Sequence, residues 1–149
     1  MKSLIAMFTA LGLLVGFIGG VIFWSSAAEA ANFNENYFNS LVCAHLNGQD
    51  SVVIDVGGKR LNPDCVTSTH AYEADWAHKM YEGIGQSLFY ARNMNFLEPG
   101  IIFYIRVEKE KFARKDRAWL KTFRAGFDII DTIVIEANRD TGEWRIINE

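Results

Sequence analysis

From Asn32 onward the chain predicts a single mixed α/β domain with a central mixed sheet. Three observations carry this. Short β-rich apolar runs alternate with helical patterns, Gly- or Pro-containing turns separate them, and one domain's worth of apolar material is present. Of the 149 residues, half are apolar, 13% are aromatic and two are prolines. That composition excludes an intrinsically disordered chain. A net charge of −3 neither requires nor excludes a nucleic-acid partner, because a local patch matters more than the sum.

The elements follow in order. Between Asn32 and Asn47, the apolar residues Phe33, Tyr37, Phe38, Leu41 and Val42 recur at helical spacing, and Asn47-Gly48 ends the helix. Ser51–Val56 (SVVIDV) reads as a strand, and Gly57-Gly58 turns the chain into a second strand over Arg60–Thr67. Tyr72–Asn93 is expected as one amphipathic helix with Trp76, Ala77, Met80, Ile84, Leu88 and Ala91 inward. Ile101–Val107 (IIFYIRV) reads as a central strand after Pro99-Gly100. A helix over Glu110–Phe127 and strands over Ile129–Ala137 and Trp144–Ile147 complete the order, with Asp140-Thr141-Gly142 as the last turn.

The first thirty residues form a separate segment. Leu4–Trp24 is almost wholly apolar and uncharged, Lys2 supplies a positive start, and Ala28-Glu29-Ala30 is a small-x-small cleavage pattern. This predicts a secretory signal peptide or, given its length, an uncleaved membrane anchor. Either way the domain over residues 32–149 is expected outside the cytoplasm, secreted, periplasmic or tethered. Cys43 and Cys65 could form one disulfide in such a compartment or remain two buried thiols. They are too few for a disulfide scaffold, and no CxxC spacing suggests zinc.

Acidic residues cluster where chemistry would need them. Asp64 sits near the end of the second predicted strand, and Glu73 and Asp75 follow within a few residues. Two or three converging carboxylates suit a hard cation such as magnesium or manganese. Lys79 follows Asp75 by one helical turn, and Glu82, Gln86 and Tyr90 continue the same polar stripe. A polar helix face is also what any amphipathic helix presents to water. His70, three residues before Glu73, could join a metal site or act as a base, although a lone histidine is more often structural. No nucleophile elbow and no phosphate-cradling glycine loop is present.

Asn62-Pro63-Asp64-Cys65, then Glu73-Ala74-Asp75, Lys79 and Gln86-x-x-x-Tyr90 together resemble the PD-(D/E)xK nuclease superfamily, in particular RecB-like members with a QxxxY motif. The resemblance covers about half the chain, Asn32 to Val107, and implies a restriction-endonuclease-like αβββαβ core. It implies that Asp64 and Glu73 are metal-binding acids, with Asp75 beside them, and that Gln86 and Tyr90 are the helical motif residues. It further implies magnesium-dependent phosphodiester hydrolysis. One departure stands out: the lysine normally found two residues after the second acid is Asp75 here, so Lys79 would act from the following turn.

A basic stretch fits a polyanion partner. From Arg106 to Arg124 there are eight basic residues against three acidic ones, and Arg114, Arg117, Lys121 and Arg124 share a helix face. Such a face is also compatible with simple solvation, or with anionic lipid headgroups if the N-terminal segment is an anchor. The sequence therefore predicts a metal-dependent nuclease outside the cytoplasm. The alternatives are a catalytically inactive binding module on the same fold and a tethered structural protein.

Overall fold

The computed structural model describes residues 32–94 and 97–147. The predicted signal or anchor segment lies outside the described residues. Helix α1 (Glu35–His45) is followed by β1 (Gln49–Asp50), a hairpin of β2 (Ile54–Val56) and β3 (Lys59–Leu61), and β4 (Cys65–Val66). Then come β5 (His70–Trp76), a single 3₁₀ turn (Ala77–Lys79), α2 (Met80–Asn93), β6 (Glu98–Arg106), α3 (Glu110–Arg124), β7 (Asp131–Ala137) and β8 (Trp144–Ile146). No helix among the described residues is long and apolar enough to cross a membrane.

Six strands form one mixed sheet in the order β1-β4-β5-β6-β7-β8. The central β5, β6 and β7 run parallel, and the pairs toward both edges are antiparallel. Helices cover both faces. On one, Phe38, Val42 and Cys43 of α1 pack on Tyr72, Ala74, Trp76, Ile102, Tyr104 and Ile135. On the other, Met80 and Ile84 of α2 and Ala113, Leu120 and Phe123 of α3 pack on Ile101, Phe103, Ile105 and Val134. A strand buried on both sides needs apolar residues at successive positions, and the run Ile101–Ile105 supplies them.

The β2–β3 hairpin turns at Gly57 and Gly58, with φ of 60° and 81°. Two consecutive positive φ values define a tight hairpin turn that glycine adopts without steric cost. The Asp55 carboxylate accepts from the Gly58 N–H at 2.9 Å. Cys43 and Cys65 are joined by a disulfide, which fastens α1 to β4, next to the edge strand β1.

Three expectations are corrected. The predicted strand Arg60–Thr67 is interrupted at Asn62-Pro63-Asp64, because proline has no N–H for a ladder. The expected strand Ser51–Val56 begins only at Ile54. Most consequentially, the expected helix Tyr72–Asn93 begins at Met80, and His70–Trp76 is a strand. In HAYEADW, Tyr72, Ala74 and Trp76 point to the α1 side and Glu73 and Asp75 to the other, a period of two. Inside the helix, Leu88 faces solvent rather than the core.

Candidate functional site

The site is created by unequal pairing along β5. All seven residues of β5 pair with β6, but β4 reaches only Tyr72 and Ala71. From Glu73 onward, one edge of β5 therefore lacks a strand, and its N–H groups need other acceptors. Carboxylates provide them. Asp64, just before β4, accepts from the Ala74 N–H at 2.9 Å. The Trp76 N–H donates to Asp75 Oδ1 at 3.0 Å and also favours the ionised form of Glu35.

The loop that carries Asp64 is held from both sides. Asn39 of α1 donates to the Asp64 carbonyl at 2.9 Å. Tyr90 of α2 donates a long 3.4 Å bond to the Asn62 carbonyl. The period-two geometry puts Glu73 and Asp75 on the α2 face of β5. There Gly83 lets the helix approach, since a Cβ on it would lie 3.6 Å from the Asp75 Cβ and 2.9 Å from the Ile101 Cδ1.

Four carboxylates thus act on one another: Glu35, Asp64, Glu73 and Asp75. Glu73 is 8% exposed, and burial together with the charges of Asp64, Asp75 and Glu35 raises its pKa to about 9. Burial and the Asp75 charge raise Glu35 to about 7. Burial also lifts Asp64, against the Ala74 hydrogen bond, and lifts Asp75, against the Lys79 charge. Lys79 Nζ lies 3.5 Å from Asp75 Oδ1, and that carboxylate holds the ammonium above its ordinary range. Burial and the Glu73 and Asp64 charges push Tyr90 up to about 12, and a hydrogen bond to Gln86 works against them.

Glu73 Oε2 and Glu35 Oε2 are buried with no hydrogen-bond partner. Unsatisfied buried carboxylate oxygens are costly unless protonated or neutralised by a cation. The potential donors are all oxygen, as a hard divalent ion requires. Among the described residues no trio of acidic, His or Cys side chains is already gathered at coordination range.

Of the sequence-predicted residues, Asp64, Glu73, Asp75, Lys79, Gln86 and Tyr90 meet at this edge. Asp75 and Lys79 precede α2 rather than beginning its polar stripe, and Glu82 is solvent-exposed. His70 lies at the other end of β5, five residues from Asp75 and so roughly 16 Å away along the strand. It bonds Thr69 at 2.8 Å and faces Glu98 at 3.5 Å, taking no part in the acidic group. Sequence reasoning missed Glu35 and Asn39. An acid in a helix's first turn after the N-cap Asn34 reads as an ordinary complement to the helix dipole.

The basic residues of α3 lie elsewhere. Arg117, Lys121 and Arg124 line a shallow depression of about 450 Å³ that includes none of the four carboxylates. Arg117 is engaged by Glu136 of β7, and Arg114 faces Glu110 at 4.0 Å. Arg106, counted in the same stretch, is bound on two sides by the fully buried Asp116, with Nη2–Oδ1 at 2.8 Å and Nε–Oδ2 at 3.0 Å. Arg106 and Arg117 are therefore committed to carboxylates of the fold. No family model matches the chain, and neither a curated protein nor a solved structure matches it.

Proposed function

We propose that the domain is a magnesium- or manganese-dependent nuclease of the PD-(D/E)xK type, working outside the cytoplasm in exported or membrane-tethered form. The observation that carries this reading is the convergence of Glu35, Asp64, Glu73 and Asp75 on the open edge of β5, with buried oxygens of Glu73 and Glu35 left unpartnered. The run of α1, the strands through β5, then α2 and β6 is compatible with an αβββαβ core, with the β2–β3 hairpin as an addition. The Cys43–Cys65 disulfide suits an oxidising compartment.

Asp64, Glu73 and Asp75, with Glu35 beside them, would hold the cation. When bound, such an ion would supply Lewis-acid polarisation of a phosphodiester and a lowered pKa for an attacking water. Lys79 sits where an ammonium can stabilise negative charge developing on the phosphoryl oxygens. Gln86 and Tyr90 brace Glu73 through their linked hydrogen bonds. Asp75 at the family's usual lysine position favours the second reading, an inactive module that binds nucleic acid on the same scaffold.

Hydrolysis of labelled DNA and RNA with magnesium or manganese separates the two. Asp64→Ala should lower the rate by about 10³-fold, and Lys79→Ala by about 10²-fold, losses typical of removing one group that acts in the transition state. Glu110→Gln on exposed α3 should leave the rate unchanged. Cleavage that survives Asp64→Ala, or that needs no divalent ion, would refute the nuclease reading.

A further inference from the structure

A cavity of about 330 Å³ opens beside the carboxylates, lined among others by Glu35, Trp76, His78, Lys79, Arg106 and Arg139. It lies at the carboxyl ends of β5 and β6, where open α/β sheets place their ligands. Glu35 and Lys79 belong both to this cavity and to the acidic group, so the two share a wall.

The charges around the cavity are unevenly compensated. Lys79 pairs with Asp75 and Arg106 with Asp116. Burial and the nearby Arg106 hold His78 below its ordinary range, toward the neutral imidazole. Arg139, from the loop between β7 and β8, differs. Its guanidinium stands over the Trp76 ring at 5.6 Å, and its Nη2 donates to the neutral Asn32 side chain at 2.8 Å. Its Nε is buried without any hydrogen-bond partner, and among the described residues no carboxylate forms an ion pair with it. A guanidinium stacked on an aromatic ring and lacking a counter-charge is preorganised for a phosphate, whose geometry its planar fork matches. In the cavity of about 410 Å³, by contrast, Arg117 and Arg145 both pair with Glu136, and Glu143 adds a further carboxylate to the lining.

We propose that this cavity is a phosphate subsite for the nucleic-acid strand, with Arg139 as its anion-binding residue, seating the phosphate next to the one at the carboxylates. The proposal rests on the nuclease reading for the identity of the strand. It assigns Arg139 to substrate binding rather than to the chemical step.

The test is binding of a short fluorescent single-stranded DNA to the intact protein, in calcium and in EDTA, across a salt series. Arg139→Gln should weaken binding about tenfold and reduce the salt slope by about one, as loss of one phosphate contact does. Arg139→Lys should restore most of the affinity and the slope. Thermal melting of both variants checks that the fold is intact. Unchanged affinity and slope in a folded Arg139→Gln, or no binding by the parent protein, overturns the subsite. Cleavage is followed in parallel with Asp64→Asn. If Asp64→Asn abolishes cleavage while Arg139→Gln binds and cleaves like the parent, the subsite fails and the nuclease reading stands. If no form cleaves but Arg139→Gln still weakens binding, the nuclease reading fails and the anion site stands.

Discussion

Burial and three neighbouring carboxylates act on Glu73 in the same direction, and only the Tyr90 hydroxyl works the other way. In a chain stripped of divalent ions, folded Glu73 keeps its proton from pH 4.5 up to about 9, and Glu35 from 4.5 up to about 7. The unfolded chain releases both protons near 4.5, so the folded form binds more protons within those windows. Its stability must then fall as pH rises, by at most about 1.4 kcal/mol per pH unit for each group. Denaturant titration in EDTA should show a less stable domain at about pH 8 than at about pH 5. Glu73→Gln should flatten that profile, and magnesium should raise stability chiefly at the alkaline end. A flat profile for the parent protein would refute the crowding of charge. At this scale the sequence was readable for Asp64, Glu73, Asp75 and Lys79, because short-range spacing and residue type mark them. Glu35 and Arg139 were not readable, because each lies far along the chain from the acids it joins.

The strand β5 shows why an element can be misread. Met80 to Asn93 carries a helical period, and extending it backwards through Trp76 takes in Asp75 and Tyr72 at nearly helical spacing. What decides otherwise is partnership: β6 offers seven residues for parallel pairing, and both faces of β5 are covered. Tertiary pairing overrides a local period that runs on by a turn. The same packing makes a testable demand on β6. A Cβ on Gly100 would lie 2.4 Å from two carbons of the Tyr72 ring. That ring cannot easily yield, since its hydroxyl donates to Asp131 at 2.6 Å and its face stacks on His70 at 5.3 Å. Gly100→Ala should cost about 1–3 kcal/mol, the usual penalty for overpacking, as measured by urea denaturation. A loss much below that would mean Tyr72 moves freely.

Across the whole molecule, the acidic edge depends on contacts between parts distant in sequence. The disulfide closes a separation of 22 residues and ties α1 to β4, the two elements that deliver Glu35, Asn39 and Asp64. Loop-closure entropy assigns such a bond roughly 3 kcal/mol. Reduction, or the Cys43→Ser/Cys65→Ser pair, should lower stability by about that amount. It should also loosen the Asn39–Asp64 contact, so divalent-ion affinity, read by calorimetry, should fall with it. Ion binding unchanged after reduction would show that α1 is held by its apolar face alone. By itself the sequence determined a mixed α/β domain, its three helices apart from their ends, the Gly57-Gly58 hairpin and the residue types of the acidic group. Composition, local period and turn chemistry are short-range properties, and they are written directly in residue order. Only the tertiary structure decided that β5 is a strand, that Cys43 meets Cys65, that Glu35 completes the carboxylates and that Arg139 lies over Trp76. Those depend on which β5 edge is left without a partner and on which distant segment fills it, and long-range pairing is not legible in local spacing.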